Sequence, residues 1–494
     1  MKRVLVVLAV ALSALLACAV PPAAGSASGT TKVTRPDLTG SGTWVTDGQG
    51  RVVVLHGLNQ VYKIAPYTPG ADGFGADDAA FLQRNGFDVM RVGVIWSAVE
   101  PHPGEFDAGY LDSIARTVRT LAQHGIYALL DFHQDLYNEK FQGEGAPKWA
   151  VLGGNDPNPA LGFPGNYFAN PAENAAWDAF WHNDPARDGV GLQVHYAHAW
   201  AHVAARFAAN RNVLGYEVLN EPWPGTTWQP CLTPDVGCAQ FDQTMTAFYQ
   251  RVATAIRRHD RRHLVWLEPN VASASADANN VGKVHDPHLG WAFHDYCPTL
   301  AELQQNLLCP QLDDQTVTAM MKYGTDHSVP TLMTEFGATQ DQDNLAEMVG
   351  LADQHLLGWT EWAYTGHDKT STSPDGQALV LDPAKPPTGS NVERAKLKAL
   401  AEVYPQVVAG TPTSYSYADH VFELRYGTAR VTGGRFAAGS ITEVAVPHIQ
   451  YPHGYRVHAT GARVVSSPGA RTLRLASRAG AKTVTVTVTV RPPH

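Results

Sequence analysis

Two glutamates stand where paired carboxyl chemistry would place them. Glu221 sits in Asn220-Glu221-Pro222, at the end of the apolar run 213–219. Glu335 sits in Thr334-Glu335-Phe336-Gly337, at the end of the run 331–334. Cleaving a glycosidic bond needs two such groups: one protonates the leaving oxygen and the other attacks the anomeric carbon. A separation of about 5–5.5 Å retains configuration through a covalent intermediate. The acid must stay protonated near working pH, and a negatively charged neighbour helps to raise its pKa. Other run ends carry Asn59, Arg91, His133, Asp135, His294, Tyr296 and Trp362. Asn220 suits a sugar 2-hydroxyl, Tyr296 can donate to a nucleophile, and Arg91 can keep that nucleophile ionised. His133 and His294 can bond sugar hydroxyls or orient the carboxylates, and Trp362 offers an apolar face to a sugar ring.

These residues need a scaffold that gathers strand ends. Short apolar runs at 51–55, 87–94, 126–132, 213–219, 263–267, 290–294, 331–334 and 358–362 read as strands buried on both faces. Helical spacing separates them, as in Tyr110, Ile114, Val118 and Leu121. It recurs in Phe241, Met245, Phe248, Val252 and Ile256, and in Leu345, Met348, Val349, Ala352 and Leu356. Asn391 is expected to cap a last helix through Ala395, Ala399 and Val403. The alternation predicts an α/β fold, a (β/α)8 TIM barrel over residues 37–405, with its chemistry where strands end. Glu221 and Glu335 then end strands four and seven, across the barrel from each other. Glu268 and Glu361, also near strand ends, read as buried hydrogen-bond partners.

One connection is long. About sixty residues follow His133, rich in Trp, Phe and Tyr, before a helix near Val194. A loop of that length in a compact domain is often functional. Trp149, Phe163, Tyr167, Phe168, Trp177, Phe180 and Trp181 either wall a binding trough or pack on one another. Beyond residue 405 the helical period stops. Runs at 421–424, 442–446, 456–458 and 472–475, and the alternating TVTVTVTV at 483–490, predict a C-terminal antiparallel β-sandwich over 406–494.

Composition bounds the class. The chain has 494 residues, 44% of them hydrophobic and 17% charged, enough apolar content for a large core. With 37 Lys and Arg against 46 Asp and Glu, no basic domain invites nucleic acid. Lys2 and Arg3 precede an apolar run at 4–17, too short for a comfortable membrane span, so residues 1–28 read as an export signal and short linker. Leu15-Leu16-Ala17-Cys18 resembles a lipobox, which would make Cys18 a lipid attachment point and the product an anchored lipoprotein. The other reading is an ordinary leader, cut near Gly25-Ser26-Ala27, and a secreted protein. Cys231, Cys238, Cys297 and Cys309 allow three pairings, of which the two local pairs close the shortest loops. Their spacing does not match a zinc site, and an oxidising compartment favours disulfides. His195, His198 and His202 lie near one another on a helix and read as packing or solvent-facing, so no metal is expected.

The ordered set of motifs resembles glycoside hydrolase family five over roughly residues 40–405: Asn220-Glu221-Pro222 and Thr334-Glu335-Phe336-Gly337, with Arg91, His133, His294, Tyr296 and Trp362 in sequence. Within that family, HGLNQVYK at 56–63, HQDLYNEKFQGEGAPKWA at 133–150, GFPGNYFANP at 162–171 and LNEPWPG at 219–225 resemble endoglycoceramidases, as does the appended sandwich. The resemblance implies cleavage of the β-bond between an intact oligosaccharide and ceramide. It implies that Glu221 is acid and base, that Glu335 is the nucleophile, and that Lys63 and Asp135 hold glycan beside the scissile bond. It implies no cofactor, a glycosphingolipid substrate met at a membrane or micelle surface, and no obligate protein partner. Other readings are preference for galactosylceramide-linked glycans, a β-glucanase, a steryl or ceramide β-glucosidase, and a non-catalytic glycolipid-binding lipoprotein.

Overall fold

The computed structural model describes residues 36–153, 156–232, 237–271, 279–298, 300, 306, 308–366, 368, 370, 373 and 376–491. The segment expected to be an export signal, with Cys18, lies outside the described residues. Eight parallel strands close a barrel in chain order: β4 (His56–Gln60), β5 (Val89–Val94), β6 (Tyr127–Phe132), β7 (Val213–Glu217), β8 (Leu264–Leu267), β9 (Leu289–Asp295), β10 (Thr331–Phe336) and β11 (Gly358–Glu361). Their side chains are almost wholly buried, as near-continuous apolar runs require. At Gly57 an added Cβ would stand 1.9 Å from the Val89 carbonyl oxygen, so only glycine lets β4 meet β5 there. The helix Ala108–Gln123 starts where the Asp107 side chain accepts the Tyr110 amide, and it buries Tyr110, Leu111, Ile114, Val118 and Leu121 against the barrel.

Seven barrel strands lie where the apolar runs place them. The first does not: the run 51–55 lies upstream of the barrel, and the barrel strand is the polar-looking His56–Gln60. The reason is a period-two split. Val52 and Val54 face the sandwich core, whereas Val53 and Leu55 face the barrel base with Val89, Tyr127, Leu129, Leu264 and Trp266. Burial on both faces therefore came from two different cores. Ahead of the barrel run β1 (Leu38–Ser41), β2 (Trp44–Asp47) and β3 (Val52–Val53).

The C-terminal strands are β12 (Tyr404–Val408), β13 (Thr411–Ala418), β14 (Val421–Gly427), β15 (Ile441–Ala445), β16 (Tyr455–Thr460), β17 (Ala462–Val464), β18 (Thr472–Ser477) and β19 (Thr483–Val490). They form two sheets around one core, ordered β1-β2-β3-β12-β15-β18-β17 and β13-β14-β19-β16. The sandwich is thus completed by the residues that precede the barrel, and the expected boundary at 405 falls inside β12. Asn391 does not cap the last helix, which is Arg394–Leu400 after Glu393. Its amide instead donates to the carbonyls of Asp382, Lys385 and Pro386 and its oxygen accepts the Asp382 amide, which locks the preceding turn. Both local disulfides are present, Cys231–Cys238 and Cys297–Cys309. Among the described residues, no helix is long and apolar enough to cross a membrane.

Barrel and sandwich meet on an aromatic stack: the His56 ring lies 3.7 Å from Tyr404 and 4.4 Å from Trp359, centroid to centroid. Removing a buried ring of this size costs about 3–5 kcal/mol. Tyr404→Ala should therefore lower the urea midpoint clearly, and an unchanged midpoint would show that this joint carries no stability.

Candidate active site

The barrel mouth is organised by one guanidinium. Arg91, mid-strand in β5 and fully buried, donates through Nε to Glu217 (2.6 Å) and through Nη1 to Glu335 (2.5 Å) and Asn59 (3.1 Å). Its Nη2 reaches Asn220 (2.8 Å) and Asp131 (3.1 Å). Burial pulls its pKa down, but Asp131, Glu217 and Glu335 outweigh that and raise it. Tyr296 donates to the other Glu335 oxygen at 2.7 Å. The Glu335 carboxyl is thus held by two donors, one of them a permanent cation.

Glu221 is held differently. Its carboxyl oxygen lies 2.9 Å from His294 Nδ1, and its backbone sits in the left-handed region at φ 45°. A non-glycine residue there is uncommon and strained, a state that clusters at functional sites. Burial raises the Glu221 pKa to about 7, with Asp135 adding to the rise. Burial lowers His294 to about 4, so that imidazole is neutral. Oxygens of Glu221 and Glu335 come within 4.8 Å of each other, matching a retaining pair and not the ~6.5–9.5 Å of an inverting one.

The side wall carries the second cluster. Lys63 pairs with Asp135 at 2.5 Å and lies 4.4 Å above the Trp362 ring, which stacks on His133 at 5.3 Å. Burial lowers the His133 pKa, yet hydrogen bonds and charge from Asp131 and Asp135 carry it up to about 10, so this imidazole is cationic. Burial disfavours the Asp135 carboxylate, but Lys63 and His133 hold its pKa well below the usual range. Asn220 accepts from Arg91 and donates to the Gln134 carbonyl, leaving one N–H directed by the same amide plane.

The ten residues expected from sequence to be catalytic or substrate-binding converge here. Sequence reasoning missed five that support them. Asp131 and Glu217 were hidden inside runs read only as apolar, where a charge in a strand interior was the available signal. Gln134 donates to the carbonyls of Asn220 and Glu221. Gln377 accepts the Trp362 indole N–H at 2.8 Å, and its carbonyl is held by Lys396, which also pairs with Glu361 at 2.6 Å. The long aromatic connection proves to be mainly a self-packed cluster: Tyr167, Trp177, Phe180 and Trp181 are buried, while Phe163 and Phe168 keep an exposed edge.

Among the described residues, four His/Asp/Glu trios lie close enough to share an ion. Three of them, Glu221–His294–Glu335, Glu217–Glu268–His294 and His133–Asp135–Glu144, are this site's own network. The fourth, His56–Asp353–Glu402, lies at the joint with the sandwich. The helical histidines form no such group: His195 is bound to Glu100 at 2.7 Å, His202 stacks on Phe106, and His198 is exposed.

A parallel barrel with these two glutamates at the ends of strands four and seven defines a retaining glycoside hydrolase. The chain matches the cellulase (glycosyl hydrolase family 5) profile over residues 51–368 and the glycoside hydrolase family 5 C-terminal domain over 403–490. It belongs to glycoside hydrolase family 5. It is 33% identical over 450 residues to endoglycoceramidase I of Rhodococcus hoagii, across 88% of this chain and 84% of that protein. It also resembles solved structures of endo-glycoceramidase II from Rhodococcus sp. The lactosyl-enzyme intermediate is 28% identical with a TM-score of 0.74, covering 91% of this chain and 100% of that one. The ganglioside GM3 complex is 26% identical with a TM-score of 0.73, covering 91% and 99%.

Because folding holds Glu221 in its neutral form, its ionisation opposes the fold. The penalty is absent below the unfolded-state value near 4.5, grows as pH rises, and is complete above about 7. Glu221→Gln should therefore stabilise the protein by on the order of 2–3 kcal/mol at pH 8 and by little at pH 4.5. Equal shifts in Tm at both pH values would contradict the assignment.

Proposed function

We propose that this protein is an exported retaining endo-β-glycosidase that releases intact oligosaccharide from glycosphingolipids. Glu335 is the nucleophile and Glu221 the acid and base. The observation that carries the chemistry is the pair itself: one carboxylate pinned by Arg91 and Tyr296, and, within 4.8 Å, a carboxyl group that burial keeps protonated near neutral pH.

The cycle follows from the geometry. Glu335 attacks the anomeric carbon while Glu221 gives its proton to the glycosidic oxygen, and ceramide leaves as an alcohol. Glu221, now a carboxylate, takes a proton from water, which attacks the glycosyl-enzyme ester and frees the sugar with Glu335 restored. Asn220 meets the 2-hydroxyl, Trp362 floors the sugar, and Lys63 with Asp135 holds the glycan beside the bond.

The lipid half is supported by where the exposed apolar side chains lie. Among the described residues, the barrel's exposed large hydrophobics are Ile64, Leu161, Phe163, Phe168, Leu232, Leu308 and Leu381. All seven lie in segments that follow barrel strands, so they rim the mouth that holds Glu221 and Glu335. An apolar rim around a polar slot suits a substrate with a sugar head and lipid tails in a membrane or micelle. No tryptophan is among these exposed residues, so nothing here resembles the open aromatic ladder expected of a β-glucanase. The two local disulfides and the short apolar leader support export, with Cys18 the point of lipid attachment if the product stays anchored.

Lactosylceramide, a ganglioside, a 6-linked galactosylceramide-series glycolipid and a soluble β-glucan, each in detergent with products weighed by mass, test the reading. Intact oligosaccharide plus ceramide from the first two is expected. Action on the galactosyl series alone would move the linkage, single glucose release would indicate a β-glucosidase, and glucan cleavage alone would overturn the lipid assignment. kcat/KM should fall tenfold per pH unit above about 7 as Glu221 ionises. Glu335→Gln should lose nearly all turnover, whereas a non-catalytic binder would be indifferent. Phe163→Asp with Phe168→Asp should raise KM for micellar substrate at least fivefold and leave a soluble aryl β-lactoside unchanged.

A further inference from the structure

Glu268 directly follows β8 and stands between the two strand ends that carry Glu221 and His294. It is 2% exposed. Both its carboxyl oxygens lie 3.2 Å from the Glu221 amide nitrogen, which donates to them. One of the same oxygens lies 3.5 Å from His294 Nε2, a buried nitrogen that has no hydrogen-bond partner in this structure. The opposite ring nitrogen, Nδ1, is the one bonded to the Glu221 carboxyl. Glu268 thus touches the acid at its main chain and faces it again through the imidazole. Its own carbonyl accepts Tyr249 OH, which fixes the strand end.

We propose that Glu268 is the positioning residue of the acid–base step: it holds the left-handed main chain of Glu221 and fixes the His294 proton on Nδ1, where it is given to the Glu221 carboxylate. This rests on the reading of Glu221 as acid and base. The groups around Glu268 are Glu217, Arg91, Glu221 and Asp131. Burial, then the Glu217 charge, favours its protonated form, which presents O–H to His294 Nε2. Imidazole with Nε2 accepting must carry its proton on Nδ1. That N–H stabilises Glu221 as a carboxylate after the acid proton has gone to the leaving group. No proton leaves Glu268 during turnover. Glu335 is held by Arg91 at 2.5 Å and Tyr296 at 2.7 Å, with His294 Nδ1 farther off at 3.5 Å, so the nucleophile depends far less on this device.

The dependence separates by leaving group. A dinitrophenolate departs without a proton, whereas an alkoxide such as that of ceramide needs one. kcat/KM, which reports the first bond cleavage, is compared for dinitrophenyl β-lactoside and lactosylceramide in Glu268→Leu, Glu268→Gln and Glu221→Ala. Glu268→Leu should lose at least 100-fold on lactosylceramide and under threefold on the dinitrophenyl substrate. Glu268→Gln should stay within fivefold on both, because an amide can accept the Glu221 N–H and donate to His294. Equal losses on both substrates, or no loss on either, would overturn the proposal. Glu221→Ala tests the underlying assignment separately: if it shows the leaving-group pattern and Glu268→Leu does not, only the role of Glu268 fails. Should the leucine variant not fold, neutron diffraction of the unmodified protein decides. Deuterium on His294 Nδ1 supports the proposal, and deuterium on Nε2 refutes it.

Discussion

Arg91 is the constraint on which the barrel mouth depends. A guanidinium with no solvent exposure sits among the carboxyl groups of Asp131, Glu217 and Glu335 and the amide oxygens of Asn59 and Asn220. Isolated in an apolar barrel, any of these carboxylates would be forced to take up a proton. A fixed, non-titrating cation at their centre offsets that cost, and one of them, Glu335, lies at the cavity. Lysine could not replace it: five donors in a planar fork reach four strands at once, whereas an ammonium is a single point charge. The register is consistent with this: Asn59 pairs with Arg91 across β4 and β5, and Asp131 pairs with Glu217 across β6 and β7, so two neighbouring rows supply the fork's partners.

The site separates two carboxyl groups by environment. Glu335 has a charged donor and a phenol. Glu221 has only a neutral imidazole and its own buried surroundings, with the cations Lys63, His133 and Arg91 acting from farther away. Two chemically identical side chains thereby sit in unlike surroundings, one fixed by a cation and a phenol and the other favoured in its protonated form by burial, the kind of division that glycosidic cleavage requires. Trp362 joins this centre to the side wall, since its ring meets both His133 and Lys63.

Much of this was legible in the sequence because the barrel writes its strands as apolar runs and puts its chemistry at their ends. Glu221, Glu335 and Tyr296 could be read that way; Arg91, expected at a run end, instead lies mid-strand and was legible as a charge inside an apolar run. The first strand could not: HGLNQ is polar because Asn59 serves the Arg91 network, and the more apolar run just upstream serves two cores by alternation. Lys396 was equally opaque. A lysine on an amphipathic helix reads as solvent-facing, and only the fold brings Glu361 and two carbonyls around its ammonium. Asn391 had the right residue type for a cap, but three nearby carbonyls claimed its amide first.

The sandwich bears on this centre through position and not through contact. Its sheet includes the strands before β4, so the chain is tied at both ends beneath the barrel, and His56 opens β4 while stacked against Tyr404 of β12. Three residues along the same strand, Asn59 meets Arg91. A shift of the sandwich would therefore reach the guanidinium through one short, fully buried strand whose glycine allows no slack against β5. The opposite face of the barrel is built from longer segments that carry exposed apolar side chains. The polar slot therefore lies between a base fixed by buried contacts and a rim that exposes apolar side chains.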